Sequence, residues 1–310
     1  MSIRISVSEN KIRVLHWTKT EQEMVMTKHN IPEGEHESQV DIQGVEIGLM
    51  LPDQFHYEWI GQQDVMDQLL AAWFVLDEHD MPLNPRLVGK PGVGKTTLAC
   101  AAAKRLDKDV YIYQCTMDTR PEDLLITPVI DKTGGIRYVA SSLVTAMIRG
   151  GVCILDEANR MSEKSWASLA PLLDTRRYIE SIVAGLKVNA HPEFRICVTM
   201  NDDASTYEIP EYIHSRIQPQ IFLDFPEAEE ERRILRENLP FIEEHIMDYV
   251  VNFLQKAHAA NANFTVRDGI NIARYAAKRI QYLKAGNQYE GLMRQAVVMT
   301  LGEEALDYLP

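Results

Sequence analysis

The chain of 310 residues has no apolar run approaching the roughly 18 to 20 residues of a membrane span. Its start, Met1-Ser-Ile-Arg-Ile5, lacks the charged-then-apolar order of a secretory leader. Cysteine is scarce: Cys100, Cys115, Cys153 and Cys197 stand apart, with no C-x-x-C spacing, which argues against a metal or redox centre and for small buried thiols. These absences together point to a reducing cytoplasm. Basic charge is also in deficit. Lys and Arg number 32 against 45 Asp and Glu, a formal net charge of −13, so no long-range positive field draws in nucleic acid. An acidic surface suits protein partners or simple solubility. Internal repeats and low-complexity tracts are missing, while a 45% hydrophobic content allows a large core with one or two smaller parts attached.

Against these gaps, residues 89–96 are dense in information: Gly-Lys-Pro-Gly-Val-Gly-Lys-Thr is a complete G-x-x-x-x-G-K-[ST] phosphate loop. Gly89, Gly92 and Gly94 permit the positive φ angles that turn successive backbone N–H groups, including those around Pro91 and Val93, towards an anion. The helix that follows, from Thr97 to Leu106, adds its positive end. Lys95 supplies a point charge for the β- and γ-phosphates, and Thr96 a hydroxyl of the kind that holds Mg²⁺. A short β-rich run, Pro85 to Val88, precedes the loop, so the required strand–loop–helix order is met.

The wider pattern is α/β. A helix is expected near 63–79, then strands at 85–88, 109–115, 151–155 and 194–200 with helices between them; their continuous apolar character is that of parallel strands covered on both faces. After Pro226 strands cease, and amphipathic runs at 227–238, 242–260, 267–283 and 288–307 read as a helical lid. Residues 1–55 differ, with short alternating runs broken by the polar stretch 31–38. The expected organisation is therefore a β-rich segment over 1–55, an α/β nucleotide-binding core over 56–225 and a lid over 226–310.

Cys153-Ile-Leu-Asp-Glu157 is an apolar strand ending in two acids, which places carboxylates at the sheet's C-terminal edge, where open α/β sheets bind ligands. Asp156 is suited to complete a Mg²⁺ shell. Glu157 is suited to orient, or take a proton from, a water attacking the γ-phosphate. The following strand ends at Thr199-Met-Asn201, whose amide could reach the γ-phosphate or that water.

Together these segments resemble the AAA+ ATPase family over roughly residues 55–285. Gly89 to Thr96 matches Walker A, Cys153 to Glu157 Walker B, and Asn201 sensor 1. The resemblance implies a P-loop NTPase core, a parallel sheet sandwiched by helices, that hydrolyses ATP with Mg²⁺. It gives Trp59-Ile60-Gly61-Gln62 the task of packing the adenine, with Thr97 at the loop's exit, and Arg267, opening a lid helix, that of sensor 2. Arg216 sits where the family's arginine finger is found, and a finger acting in trans implies a ring-forming homo-oligomer, with a hexamer among its forms. Arg176 and Arg177 are rival fingers; a surface ion pair with Glu208 or Glu211 is the other reading of Arg216. Adenine rather than guanine follows from the resemblance, no N/T-K-x-D guanine reader being present.

An insertion at 123–140, turning at Thr133-Gly-Gly135, reads as a hairpin, and a second is expected over 177–188 with Ala184-Gly185 near its turn. They resemble the helix 2 insert and pre-sensor 1 hairpin of one AAA+ clade, within which the MoxR group is the nearest likeness. That likeness implies remodelling or activation of a partner protein. Ile126, Ile130, Ile136 and Tyr138, with only Lys132 and Arg137 as cations, suit polypeptide better than phosphate backbone. A nucleic-acid or defence NTPase motor, or a scaffold that binds nucleotide without hydrolysis, would use the same core.

Overall fold

The computed structural model describes residues 39–55, 58–132, 134–202, 209–283 and 289–310, together with the backbone of residues 3–8 and 11–16. The polar stretch 31–38, Thr133 and Glu208 lie outside the described residues. Two compact units are present, Met1–Ser38 and Gln39–Pro310. In the first, β1 (Ile3–Ser8) pairs antiparallel with β2 (Lys11–His16).

The second unit opens with the hairpin β3 (Gln39–Ile42) and β4 (Val45–Gly48). Its two-residue loop, Gln43-Gly44, has positive φ at both positions, the conformation that lets a tight loop follow the strands' twist. Then come α1 (Gln63–Trp73), β5 (Arg86–Gly89), α2 (Lys95–Arg105) and β6 (Val110–Gln114). A hairpin, β7 (Ile126–Ile130) and β8 (Ile136–Ala140), leads to α3 (Ser142–Arg149), β9 (Val152–Asp156) and α4 (Glu163–Leu169). A second, β10 (Tyr178–Ser181) and β11 (Leu186–Asn189), precedes β12 (Arg195–Asn201), α5 (Glu211–His214) and β13 (Gln220–Phe222). The lid is α6 (Ala228–Asn238), α7 (Glu244–Ala259), α8 (Val266–Leu283) and α9 (Tyr289–Leu301).

The central sheet runs β13-β5-β12-β9-β6, every neighbouring pair parallel. Its middle strands are mostly apolar and covered on both faces: all of β12 is buried, and in β9 only Asp156 is partly exposed. One face packs on α1 and α2 through Met66, Leu69, Leu98 and Ala102, the other on α3 and α4 through Leu143, Met147, Trp166 and Leu169. A separate core, centred on Phe253, Leu254 and Ile272, holds the lid together. The expected parallel sheet between helices, with a helical C-terminal region, is what the structure has.

Three expectations are revised. The helix over 63–79 ends at Trp73, because the backbone turns extended at Phe74 and the N–H groups of Leu76 and His79 bond to the carboxylates of Asp80 and Asp77. Such local bonds offer the chain an alternative to the helical ladder. The run over 288–307 is broken at Gly302, whose φ of 93° ends α9 and starts a 3-10 turn over Glu303–Tyr308. Finally, residues 39–48 join the insertion: β4 pairs parallel with β8, giving a sheet of order β3-β4-β8-β7.

Candidate active site

The phosphate loop sits between β5 and α2. Gly92 and Gly94 have φ of 78° and 98°, and both positions are closely covered: a Cβ on Gly92 would lie 2.7 Å from the Thr265 side chain, and one on Gly94 3.0 Å from the Trp59 ring. Any larger residue would collide with the lid at one site and with the segment before α1 at the other. Lys95 is 7% exposed, and its ammonium donates to the carbonyls of Gly89 and Lys90, both at 2.8 Å. The charge is thus folded onto the loop that an anion would occupy.

Strand register brings the rest of the site to this edge. Asn201 stands beside Gly89 across β12 and β5, and Val198 beside Leu155 across β12 and β9, so Thr199 falls next to Asp156. Asp156 Oδ1 accepts two hydroxyl protons, from Thr96 and from Thr199, each at 2.7 Å. Thr199 Oγ1 also accepts the Glu157 N–H at 3.0 Å. Glu157 is left-handed, with φ 53° and ψ 40°. Its carboxylate meets Arg160 Nε at 2.6 Å through Oε2 and Asn201 Nδ2 at 3.4 Å through Oε1. The buried Asn159 donates to the Asn201 carbonyl at 3.0 Å, tying the two strand ends together.

A cleft of about 490 Å³ runs from this edge to the lid; Trp59, Ile60, Thr96, Thr97, Asp156 and Arg267 are among the residues that line it. Its far wall carries Arg267, Asn271 and Arg274 at helical spacing along one side of α8. Gly61 lies against the lid instead: the Glu230 carboxylate sits 2.4 Å from where its Cβ would be and accepts the Gln62 N–H at 2.9 Å. The expected adenine segment and the lid are therefore joined by one acid.

Nucleotide with magnesium, which the resemblance implies, can be tested on these groups. Thr96 and Asp156 present adjoining oxygens, the donors a hard cation takes, beside backbone N–H groups at the start of a helix. The Trp59 indole N–H is enclosed and without an acceptor among the described residues. The residues fit.

Arg216 does not line this cleft. Its guanidinium lies 3.6 Å from Asp174 and donates to the Tyr212 carbonyl, so among the described residues Asp174, not Glu211, is its acidic partner; Glu208 lies outside them. Arg176 chelates the same Asp174 and, by those hydrogen bonds, holds its carboxyl down at about 2. Arg177 is built into the core edge, donating to Asn84 and the Phe194 carbonyl, and burial lowers its pKa to about 10. That role takes it out of contention as a finger. Thr199, Arg160, Glu230 and Thr265 were not anticipated. Thr199 had a signal, since it lies two residues before Asn201 on a strand expected beside β9; Arg160 had another, its i+3 spacing from Glu157.

Residues 86–217 match the model of the AAA domain, dynein-related subfamily. Residues 86–217 thus form an AAA domain. CbbQ of Hydrogenophilus thermoluteolus is 32% identical to it over 115 residues, 37% of this chain and 43% of that one. The denitrification regulatory protein NirQ of Pseudomonas aeruginosa is 30% identical over 181 residues, 58% and 66% of the two chains. The match thus spans less than two thirds of the length of these relatives. In fold, the RuvB Holliday junction branch migration motor of Thermotoga maritima superposes with a TM-score of 0.53 at 18% identity, covering 77% of this chain and 70% of that one. These matches agree with the AAA+ resemblance of the motifs. Among the described residues no helix is long and apolar enough to cross a membrane.

Proposed function

We propose that this protein is a Mg-dependent AAA+ ATPase that works as a ring of identical subunits and remodels or activates a partner protein. The observation that carries the reading is the double hydroxyl contact on Asp156: the phosphate loop's Thr96 and the sheet's Thr199 meet on one carboxylate oxygen, next to Glu157. An acid so held is oriented before any ligand arrives, and pre-oriented charge costs no reorganisation during reaction.

In this reading the backbone N–H groups of Gly92 to Thr96 and the Lys95 ammonium bind the β- and γ-phosphates. Thr96 and Asp156 hold magnesium, which when bound neutralises charge on the phosphates. Glu157 takes the proton of the attacking water, and Asn201 orients that water or the γ-phosphate. Arg267 reaches the phosphates when the lid closes. Arg216, lying outside its own chain's cleft, serves the site of a neighbouring subunit, where a finger arginine stabilises charge on the transferred group.

Two apolar tips favour polypeptide as what the ring works on. Ile130 and Ile136 are cross-strand partners on β7 and β8, 82% and 70% exposed, and Ile182 between β10 and β11 is 96% exposed. The hairpins touch through the Tyr138 hydroxyl, which donates to the Val183 carbonyl at 3.4 Å. The name of the relative NirQ, a regulatory protein, agrees with action on a partner. Glu157→Gln is the test. It should bind ATP as the wild type does, lose at least about a hundredfold in turnover, and hold its protein client when ATP is present. Turnover near wild type would remove Glu157 from the mechanism, and salt-sensitive DNA or RNA binding with stimulated hydrolysis would replace the protein client by nucleic acid.

A further inference from the structure

Glu157 needs more than its place after β9 to act on water, because a carboxylate on a free side chain samples several orientations. Its backbone lies in the left-handed region, which is unfavourable for a residue with a Cβ, and its N–H is bonded to Thr199. The short 3-10 turn Ala158–Arg160 closes through an Arg160 N–H bond to the Glu157 carbonyl at 3.0 Å, which brings side chains 157 and 160 together. Arg160 Nε then lies 2.6 Å from Oε2, on the carboxylate's far side from Asn201, whose amide reaches Oε1. Asn201 is itself the register partner of Gly89, the first residue of the phosphate loop, so Oε1 is the oxygen held on the side of that loop's strand.

We propose that Arg160 is a positioning residue for hydrolysis: its guanidinium grips one oxygen of Glu157 and so aims the other at the attacking water. An exposed ion pair between two long side chains is worth little, because ordering both offsets the attraction. Here the partners are one turn apart on a fixed backbone and each side chain is about two-thirds buried, with 38% and 33% exposed, so little freedom is left to lose. The arrangement follows the general logic of a reactive group, the base beside it and a third group that orients the base. The inference rests on Glu157 being the proton acceptor of the proposed ATPase.

The experiment is steady-state Mg-ATP hydrolysis by the full chain carrying Arg160→Ala, Arg160→Lys or Arg160→Gln, with nucleotide affinity and thermal melting measured alongside. Arg160→Ala should lower kcat about tenfold while KM stays within about twofold, as loss of a supporting partner does. Arg160→Lys, which keeps the charge, should recover part of that loss. Added to Glu157→Gln, Arg160→Ala should bring no further loss in single-turnover rate, since the group it aims is already gone. If Arg160→Ala does not fold, Arg160→Gln, of similar length, carries the same kinetic expectation. Wild-type kcat in these variants, a raised kcat, or losses that multiply with Glu157→Gln would each overturn the proposal. A wild-type chain that binds Mg-ATP without hydrolysing it would instead bring down the ATPase reading, and this inference with it.

Discussion

On the sheet side of the cleft the polar groups are tied to one another: Thr96 and Thr199 hydrogen-bonded to Asp156, Asn201 to Glu157, Lys95 to its own loop, and Arg160 ion-paired with Glu157. On the lid side Arg267 is exposed and takes part in none of the ion pairs among the described residues, although it lines the same space. The two walls differ in what positions them. Strand register sets the first to within a hydrogen bond, whereas the second depends on the angle at which a separately packed helical unit meets the sheet. What joins them is small: Glu230 on the Gln62 N–H, Thr265 against Gly92, and Phe225, whose ring stacks on His258 at 3.8 Å with the Lys90 ammonium 4.9 Å from its centre. A rigid wall suits metal and phosphate. A wall held by few contacts suits entry and release of nucleotide.

The contrast can be broken most sharply on the rigid side. Thr199→Val keeps the shape of a 1%-exposed side chain but removes the donor to Asp156 and the acceptor for Glu157. Turnover should fall roughly 10- to 100-fold, the usual cost of losing a supporting bond at a metal site, and half-maximal activity should need more Mg²⁺ on titration. A wild-type Mg²⁺ titration would show that the two acids hold themselves.

On the lid side a smaller effect is expected. Arg267→Ala should lower kcat roughly tenfold, within the range for a hydrogen bond to a charged group discounted for exposure, and leave nucleotide binding within a few-fold. Equal loss in binding and turnover would mean that the lid is already closed on the nucleotide before chemistry.

The smallest effect concerns the lid's attachment. Glu231 on α6 is fully buried, and burial raises its pKa to about 7, against the lowering by its bond from Gln255. Its Oε1 faces His258 Nδ1 at 3.4 Å, while His258 Nε2 lies 2.8 Å from the Phe264 carbonyl and burial lowers the histidine's own pKa. A protonated Glu231 bonding to a neutral His258 satisfies both atoms. An acid whose folded pKa is raised contributes stability in full below its unfolded value, near 4.5, and loses it as pH rises through about 7. The melting temperature should therefore fall by on the order of a few °C between pH 6 and 9, and Glu231→Gln should flatten that slope. An unchanged slope in the variant would place the titration elsewhere.

Much of this was legible in the chain. The phosphate loop, the acid-ended strand and Asn201 could be read because each is a local pattern: positive-φ glycines, a run of buried β-branched and aliphatic residues, a polar end. The two hairpins were visible for the same reason. Less legible were the pieces joined through space. Nothing in Gln39 to Gly48 says that β4 will pair with β8, since an edge strand can pair with any compatible edge. Arg177 and Arg216 look alike in sequence, and only the packing of Asn84 and Phe194 draws the first into the core edge. The end of α1 was missed because Asp77 and Asp80 act on backbone groups that periodicity does not weigh.

The order of residues along the chain determined what this protein can bind: a turn that only glycines permit, a lysine and a threonine at its end, and two acids after a buried strand. These are properties of short segments, settled by φ angles and side-chain chemistry. The tertiary structure alone decided which groups hold those segments in working order, namely Thr199 on both acids, Arg160 on Glu157, and Glu230 and Thr265 from the lid. A hydrogen bond needs its partners within about 3 Å, and only strand register and packing bring residues 43 or 168 positions apart to that distance.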